Sequence, residues 1–200
     1  IIYFRLEFTP INVMKSQFLL DPKITFLNHG SFGACPKTVF ENYQHWQLEL
    51  EKQPVQFLTK HWAVHLKTSK EAVADFVGCS PDDFFFTPNP TIAINTVMRS
   101  IKLEPGDEIL TTNHEYGAMD RTWNFYCEKS GAKYIRQNIP LPIQSKESLL
   151  EDFWKGYTSK TKIVFINQIS SATALIFPVK EIIQKAKSLS DSDYLKMCSN

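Results

Sequence analysis

The sequence predicts an α/β protein in three layers, α/β/α, built on a mostly parallel sheet. Two observations carry this prediction. From about Pro22 to Ser188, apolar β-favouring runs alternate with amphipathic helical stretches. Strands separated by helices connect most simply as parallel neighbours with helices over both faces. The runs at 84–87 (Phe-Phe-Phe-Thr) and 162–167 (Lys-Ile-Val-Phe-Ile-Asn) are also almost wholly apolar, the pattern of a strand covered on both sides.

Each element has a local reason. Pro36 stands at a helix start, where the first turn needs no N–H. Val39, Phe40, Tyr43, Trp46 and Leu50 then recur at spacings of three and four, the stripe of an amphipathic helix. Pro54 breaks it. A second helix is expected over 59–76, closed by Gly78. The run at 84–87 reads as a buried strand. A helix over 91–101 turns Ile94, Val97, Met98 and Ile101 inward, and Glu104-Pro-Gly-Asp107 is a turn. A strand over 108–112 leads to a helix over 118–129, ended by Ser130-Gly131. A strand over 133–138 follows, then a helix over 147–157 carrying Leu149, Leu150, Phe153 and Trp154. The run at 162–167 is the clearest buried strand. Pro178 opens a last helix through Ile182, Ile183 and Ala186. Beyond Leu189 the alternation calls for another strand, but 190–200 is polar and has no β run. The expected division is an N-terminal segment 1–21, an α/β body 22–187 and an off-pattern tail 188–200.

Composition excludes several classes. Hydrophobic residues make 43% and charged residues 22%, which fits a folded chain and not a disordered, collagen-like or coiled-coil one. Twenty-two basic and 21 acidic residues leave a net charge of +1 over 200 residues, so no overall field draws the chain to nucleic acid or an anionic membrane. Cys35, Cys79, Cys127 and Cys198 include no C-x-x-C pair, which disfavours a zinc ribbon or a thioredoxin-type site. Four unpaired thiols in a cytoplasmic protein are expected. No run approaches the length of a membrane span. Arg5 and Glu7 interrupt the first apolar run, which argues against a signal peptide. The first residue is Ile, and a start elsewhere, such as Met14, is expected.

Ligands of open α/β sheets collect at the carboxyl ends of strands, where helix N-termini present free N–H groups. Three loops hold that position. In Thr87-Pro-Asn-Pro-Thr91, Asn89 or Thr91 can cap the helix, and free N–H groups with the Thr91 hydroxyl can hold a phosphate; a plain cap is the other reading. Asn113-His-Glu-Tyr-Gly117 offers an acid, an imidazole and a phenol ring able to stack on a planar ligand, or simply a packed loop tyrosine. Asn167-Gln-Ile-Ser-Ser-Ala-Thr173 offers neutral amides and hydroxyls, for a ligand or for its own backbone. His61 and His65 share a helix face without a third ligand, so no metal site is expected. Gly30–Thr38 imitates a phosphate loop, but Pro36 stands where a Gly is needed. No G-x-G-x-x-G follows a strand, and no G-x-S-x-G occurs.

These residues carry a family resemblance. Phe26-Leu-Asn-His-Gly-Ser-Phe-Gly-Ala-Cys-Pro36, Gln53-Pro-Val-Gln-Phe57, Pro105-Gly-Asp-Glu-Ile109, His114-Glu-Tyr-Gly-Ala118 and Ala174-Leu-Ile-Phe-Pro178 recur in that order in the class V aminotransferase family. The chain resembles its isopenicillin N epimerase-like branch over roughly 20–187, with cysteine desulfurases as more distant members. The resemblance implies a pyridoxal 5'-phosphate protein of the aspartate aminotransferase fold, with 22–187 as an incomplete large domain. It implies that Thr91 holds the cofactor phosphate. Asn89-Pro90-Thr91 stands where relatives often carry Asn-Ala-Thr, so Pro90 removes one N–H donor. Tyr116 matches the aromatic that stacks on the pyridine ring, and Ser171 the residue that reaches the ring hydroxyl. Asn28 and His29 are expected on the substrate side.

In the family, the next strand carries an Asp for the pyridinium nitrogen, followed by the Schiff-base Lys. Asp191 and Asp193 lack that strand context, and no lysine of this sequence is assigned the role, so no catalytic residue is named. The expectation is an enzyme of epimerase, aminotransferase or C–S lyase type, acting on an amino acid by aldimine chemistry. The chain is expected to be truncated before the catalytic Lys and inactive alone. The alternative is a non-catalytic fragment or pseudoenzyme that associates with a full-length paralogue. Complete members of the family are expected to be homodimers. A misread frame would also fit the first residue and the tail.

Overall fold

The computed structural model describes residues 11–189, and the chain divides between Phe85 and Phe86 into two units. The expectations placed on the tail, with Asp191, Asp193 and Cys198, lie outside the described residues.

The described part of the first unit is helical. It contains α1 (Ile11–Ser16), α2 (His29–Phe32), α3 (Lys37–Lys52), α4 (Pro54–Gln56), a π-helical turn at Phe57–His61, α5 (Trp62–Val77) and a 3-10 turn at Pro81–Asp83. Pro36 occupies the N-cap of α3, one position before the helix proper. The predicted stripe is present, but α3 buries none of its residues within this unit, and Val39 and Tyr43 are more than half exposed. Periodicity fixes which side chains share a face, while burial needs a second face to meet it. Pro54 starts α4 at its first position, so the helix expected over 59–76 begins earlier and reaches α5 through the π turn. Gly78 closes it at φ +75°, donating its N–H to the Ala74 carbonyl at 2.8 Å.

The strand expected at 84–87 does not form. Phe84 has extended backbone, Phe85 is 65% exposed, and 84–87 lies outside the three strands of the sheet formed by the described residues.

The second unit is the α/β body. Its order is α6 (Pro90–Ser100), β1 (Glu108–Thr112), α7 (Gly117–Ser130), β2 (Lys133–Gln137), α8 (Lys146–Trp154), β3 (Thr161–Val164) and α9 (Val179–Leu189). The sheet order is β2-β1-β3, parallel throughout. The chain steps from β1 to β2 on one side, then crosses back past β1 to β3. Crossovers of one hand that step in opposite directions lay their helices on opposite faces. The two cores follow from this. Ile109 packs with Met98, Leu103, Met119, Trp123 and Cys127 from the α6–α7 side. Leu110 packs with Leu149, Phe153, Trp154, Ile182 and Ala186 from the α8–α9 side. Neighbouring residues of a strand point to opposite faces, so one strand serves both cores and the unit has the three predicted layers.

Position in the sheet corrects the reading of 162–167. The strand ends at Val164 and is only half-buried, whereas all five residues of β1 are buried. Among the described residues, β3 has a neighbour on one side only, and β1 has one on each. Two glycines are needed by geometry. Gly131 ends α7 at φ +76°, where a Cβ would also lie 3.2 Å from Pro105 Cβ. At Gly156, a Cβ would come within 2.6 Å of Leu110 Cδ1. The expected helix over 147–157 therefore ends at Trp154, and the chain passes close over β1. Its start is set by a capping box in which Ser145 and Ser148 serve each other's backbone N–H groups.

Candidate functional site

α7 follows β1 on one face, and α9 follows β3 on the other. In open α/β sheets, a reversal of this kind is where ligands sit at the carboxyl edge.

The loop after β1 is pinned from beneath. Asn113 donates through Nδ2 to Asn138 Oδ1 at 3.0 Å and accepts the Ile139 N–H at 2.8 Å. His114 is buried at 8% exposure, and its Nε2 lies 2.8 Å from the Ile139 carbonyl. A carbonyl only accepts, so Nε2 carries the proton. The imidazole that the sequence placed among candidate ligand groups is thus a tie between loops. Tyr116 is 50% exposed and sits at the N-cap of α7 without a side-chain cap bond.

Glu115 turns inward. Its carboxylate accepts the Asn167 side-chain N–H at 2.5 Å, the Asn167 backbone N–H at 3.4 Å and the Thr112 hydroxyl at 3.4 Å. Burial pushes its pKa above the ordinary carboxylate value; the Asn167 backbone N–H and the Thr112 hydroxyl oppose the shift, and Asp120 adds to it. Asp120 itself pairs with Arg136 at 3.0 Å.

The loop after β3 folds back on itself. Ile169 and Ile176 form an antiparallel bridge. Buried Ser170 accepts the Leu175 N–H and meets Thr173 Oγ1 at 2.6 Å. Ser171, next to it, is exposed. Ala174 holds φ +54°, an uncommon conformation for a residue with a Cβ.

At the head of α6, Asn89 is the cap: its Oδ1 accepts the Ile92 N–H at 3.0 Å, and its carbonyl accepts the Ala93 N–H at 3.2 Å. Pro90 has no N–H. The Thr91 N–H and hydroxyl are left without a partner among the described residues. Thr91 opens onto a cavity of about 320 Å³ lined also by Asn95, Ala118, Arg121, Thr122 and Phe125. The Arg121 guanidinium lies beside Gly117, with Nη1 3.5 Å from where a Cβ would stand, and has no ion pair among the described residues. Sequence reading missed Arg121. Its signal was the spacing of four from Gly117, which returns the side chain to the helix start.

Asn28 and His29 belong to the first unit. Asn28 precedes α2 without a side-chain cap bond, and the His29 ring stands 4.7 Å from Phe26, edge to face, and 5.5 Å from Phe18. His61 and His65 have ring centroids 6.3 Å apart and line a cavity of about 460 Å³ that also includes His45, Trp46 and Phe57. Among the described residues, no group of three or more His, Cys, Asp or Glu is placed to hold a metal ion.

Comparison with known proteins covers most of the chain. Residues 30–193 match the family described as Aminotransferase class-V. The chain is 28% identical to isopenicillin N epimerase of Amycolatopsis lactamdurans, over 86% of this chain and 44% of that protein. It is 23% identical to a probable chloroplastic L-cysteine desulfhydrase of Arabidopsis thaliana, over 82% of this chain and 38% of that protein. Its fold is similar to that of a lysine-to-alanine variant of C-DES with glycine covalently linked to the PLP cofactor. That match has a TM-score of 0.77 at 20% identity and covers 87% of this chain and 46% of that one. The chain thus spans less than half the length of each of these relatives.

Proposed function

Because the chain belongs to the class-V aminotransferase family, we propose that its second unit forms the pyridoxal 5'-phosphate side of an enzyme acting on an amino acid. The observation that carries this reading is the pair of unpartnered donors of Thr91, facing a cavity that also holds an unpaired guanidinium. A phosphate dianion fits such donors at a helix N-terminus. The residues present suit the rest of the group too: exposed Tyr116 gives a ring face, and exposed Ser171 a hydroxyl for the ring oxygen. When bound, pyridoxal phosphate supplies the electron sink for bond breaking at an amino acid's Cα.

The chain's own residues bind and orient. Asn89 caps α6, Pro90 presets its first turn, and together they leave the Thr91 N–H and hydroxyl for the phosphate. Arg121 supplies the countercharge. Tyr116 covers one ring face, and Ser171 fixes the ring's edge. Asn28 and His29 are assigned to the substrate side in this reading by the resemblance of their segment to the family alone. Epimerase and C–S lyase relatives support an amino acid as substrate, and the reaction type belongs to the whole protein. No lysine of this sequence matches the family's Schiff-base position, and on that resemblance the 200-residue chain is proposed to hold the cofactor without covalent attachment and to be inactive alone.

Equilibrium binding tests the reading. Pyridoxal phosphate should bind the chain more tightly than pyridoxal. Thr91→Ala and Arg121→Ala should each weaken it by about tenfold, equivalent to about 1.4 kcal/mol, with pyridoxal unaffected. Equal affinity for the two compounds in the wild type would sink the phosphate site.

A second reading, association with another chain of the family as dimer or fragment partner, is favoured by the exposed α3 stripe. No helix among the described residues is long and apolar enough to cross a membrane. The free thiols of Cys35, Cys79 and Cys127 support a cytoplasmic location in this reading.

A further inference from the structure

We infer that Glu115 is a positioning residue that sets the separation between Tyr116 and Ser171, through its hydrogen bonds to Asn167. The inference rests on the cofactor reading above and adds a residue that reading does not use. Tyr116 and Ser171 leave the sheet on different loops, from β1 and from β3. Among the described residues, the hydrogen bonds joining loop 113–116 to loop 165–178 both end on the Glu115 carboxylate. One comes from the side-chain amide of Asn167 at 2.5 Å and the other from its backbone N–H at 3.4 Å. Glu115 is adjacent to Tyr116, and Asn167 opens the loop that carries Ser171. A rotation of either loop must therefore break a part-buried, charge-assisted hydrogen bond. The planar ring of the cofactor needs Tyr116 over its face and Ser171 at its edge at the same time, so a fixed separation favours ring binding directly. The phosphate end is formed by Thr91 at the head of α6 and Arg121 on α7, and neither side chain bonds to Glu115 or Asn167 among the described residues.

That asymmetry gives the test. In the full chain, Glu115→Gln faces an amide donor with an amide donor, and Asn167→Asp faces a carboxylate with a carboxylate. Each should weaken pyridoxal 5'-phosphate by about tenfold and leave inorganic phosphate affinity within about twofold. The double variant Glu115→Gln/Asn167→Asp reverses the pair, so that the amide now on the first loop donates to the carboxylate now on the second. It should recover affinity to within about threefold of wild type. Such non-additivity is the signature of a direct pair. Single variants that bind pyridoxal phosphate as wild type does would overturn the inference, as would a double variant as weak as the product of the singles. If a single variant does not fold, failure of the reversed pair to restore the melting temperature and the affinity also overturns it. Failure of the wild type to bind pyridoxal phosphate overturns the cofactor reading instead, and the restoration of melting temperature in the reversed pair still reports the link.

Discussion

Burial separates residues of one chemical type. Cys127 lies in the core beside Met119 and Trp123, and burial pushes its thiol up to about 11. Cys35 is exposed. A thiol reacts as its thiolate, so iodoacetamide at pH 7 should alkylate Cys35 while Cys127 stays intact until the protein is unfolded; mass mapping reads the order. Glu115 gives a pH effect with a definite sign. Its pKa is raised on folding, from 4.5, by burial first. Its favourable contribution is therefore complete below 4.5 and is lost as pH rises through the folded value. In denaturant titrations at increasing pH, the stability gap between wild type and Glu115→Gln should narrow. A gap that widens would mean that the hydrogen bonds outweigh burial. The same scale divides the candidate site residues. The types at Thr91, Tyr116 and Ser171 were readable as donors and a ring, whereas the roles of Glu115 and Arg121 depend on partners 52 residues away, as for Glu115 and Asn167, or on a cavity.

At the level of elements, caps and turns agree with their local sequence, because their hydrogen bonds reach only a few residues. Asn89→Ala removes the bond to the Ile92 N–H and should cost about 1 kcal/mol, read as a shift in the denaturant midpoint. Gly131→Ala meets both a left-handed φ of +76° and a 3.2 Å approach to Pro105. It should cost at least about 1 kcal/mol, more than an alanine at an ordinary helix position. The helices 91–101 and 118–129 and the strand at 108–112 were legible to within a residue or two at their ends. The run at 84–87 misled because three consecutive Phe residues give strand propensity, which by itself does not place a segment in a sheet. The α3 stripe was read correctly as a helical face, and α3 buries none of its residues, since a stripe reports what one element offers and not what meets it.

For the molecule as a whole, the second unit depends on β1. Phe153 is fully buried in the core that Leu110 enters, and Phe153→Ala should cost about 3–5 kcal/mol, seen as early loss of helical signal in urea. The sequence by itself determined the fold class and the places of two loops, 113–117 and 167–173, that follow strands of the sheet. Periodicities of two and of three to four are written along the chain. The tertiary structure alone decided that β1 lies between β2 and β3 in the sheet of the described residues. It also decided that His114 is tucked beneath its loop, that Arg121 shares a cavity with Thr91, and that Glu115 ties two loops together. Hydrophobic pattern states how many faces a segment can bury, but the order of strands in the sheet chooses its neighbours, and neighbours decide which polar groups lose water and which remain free for a ligand.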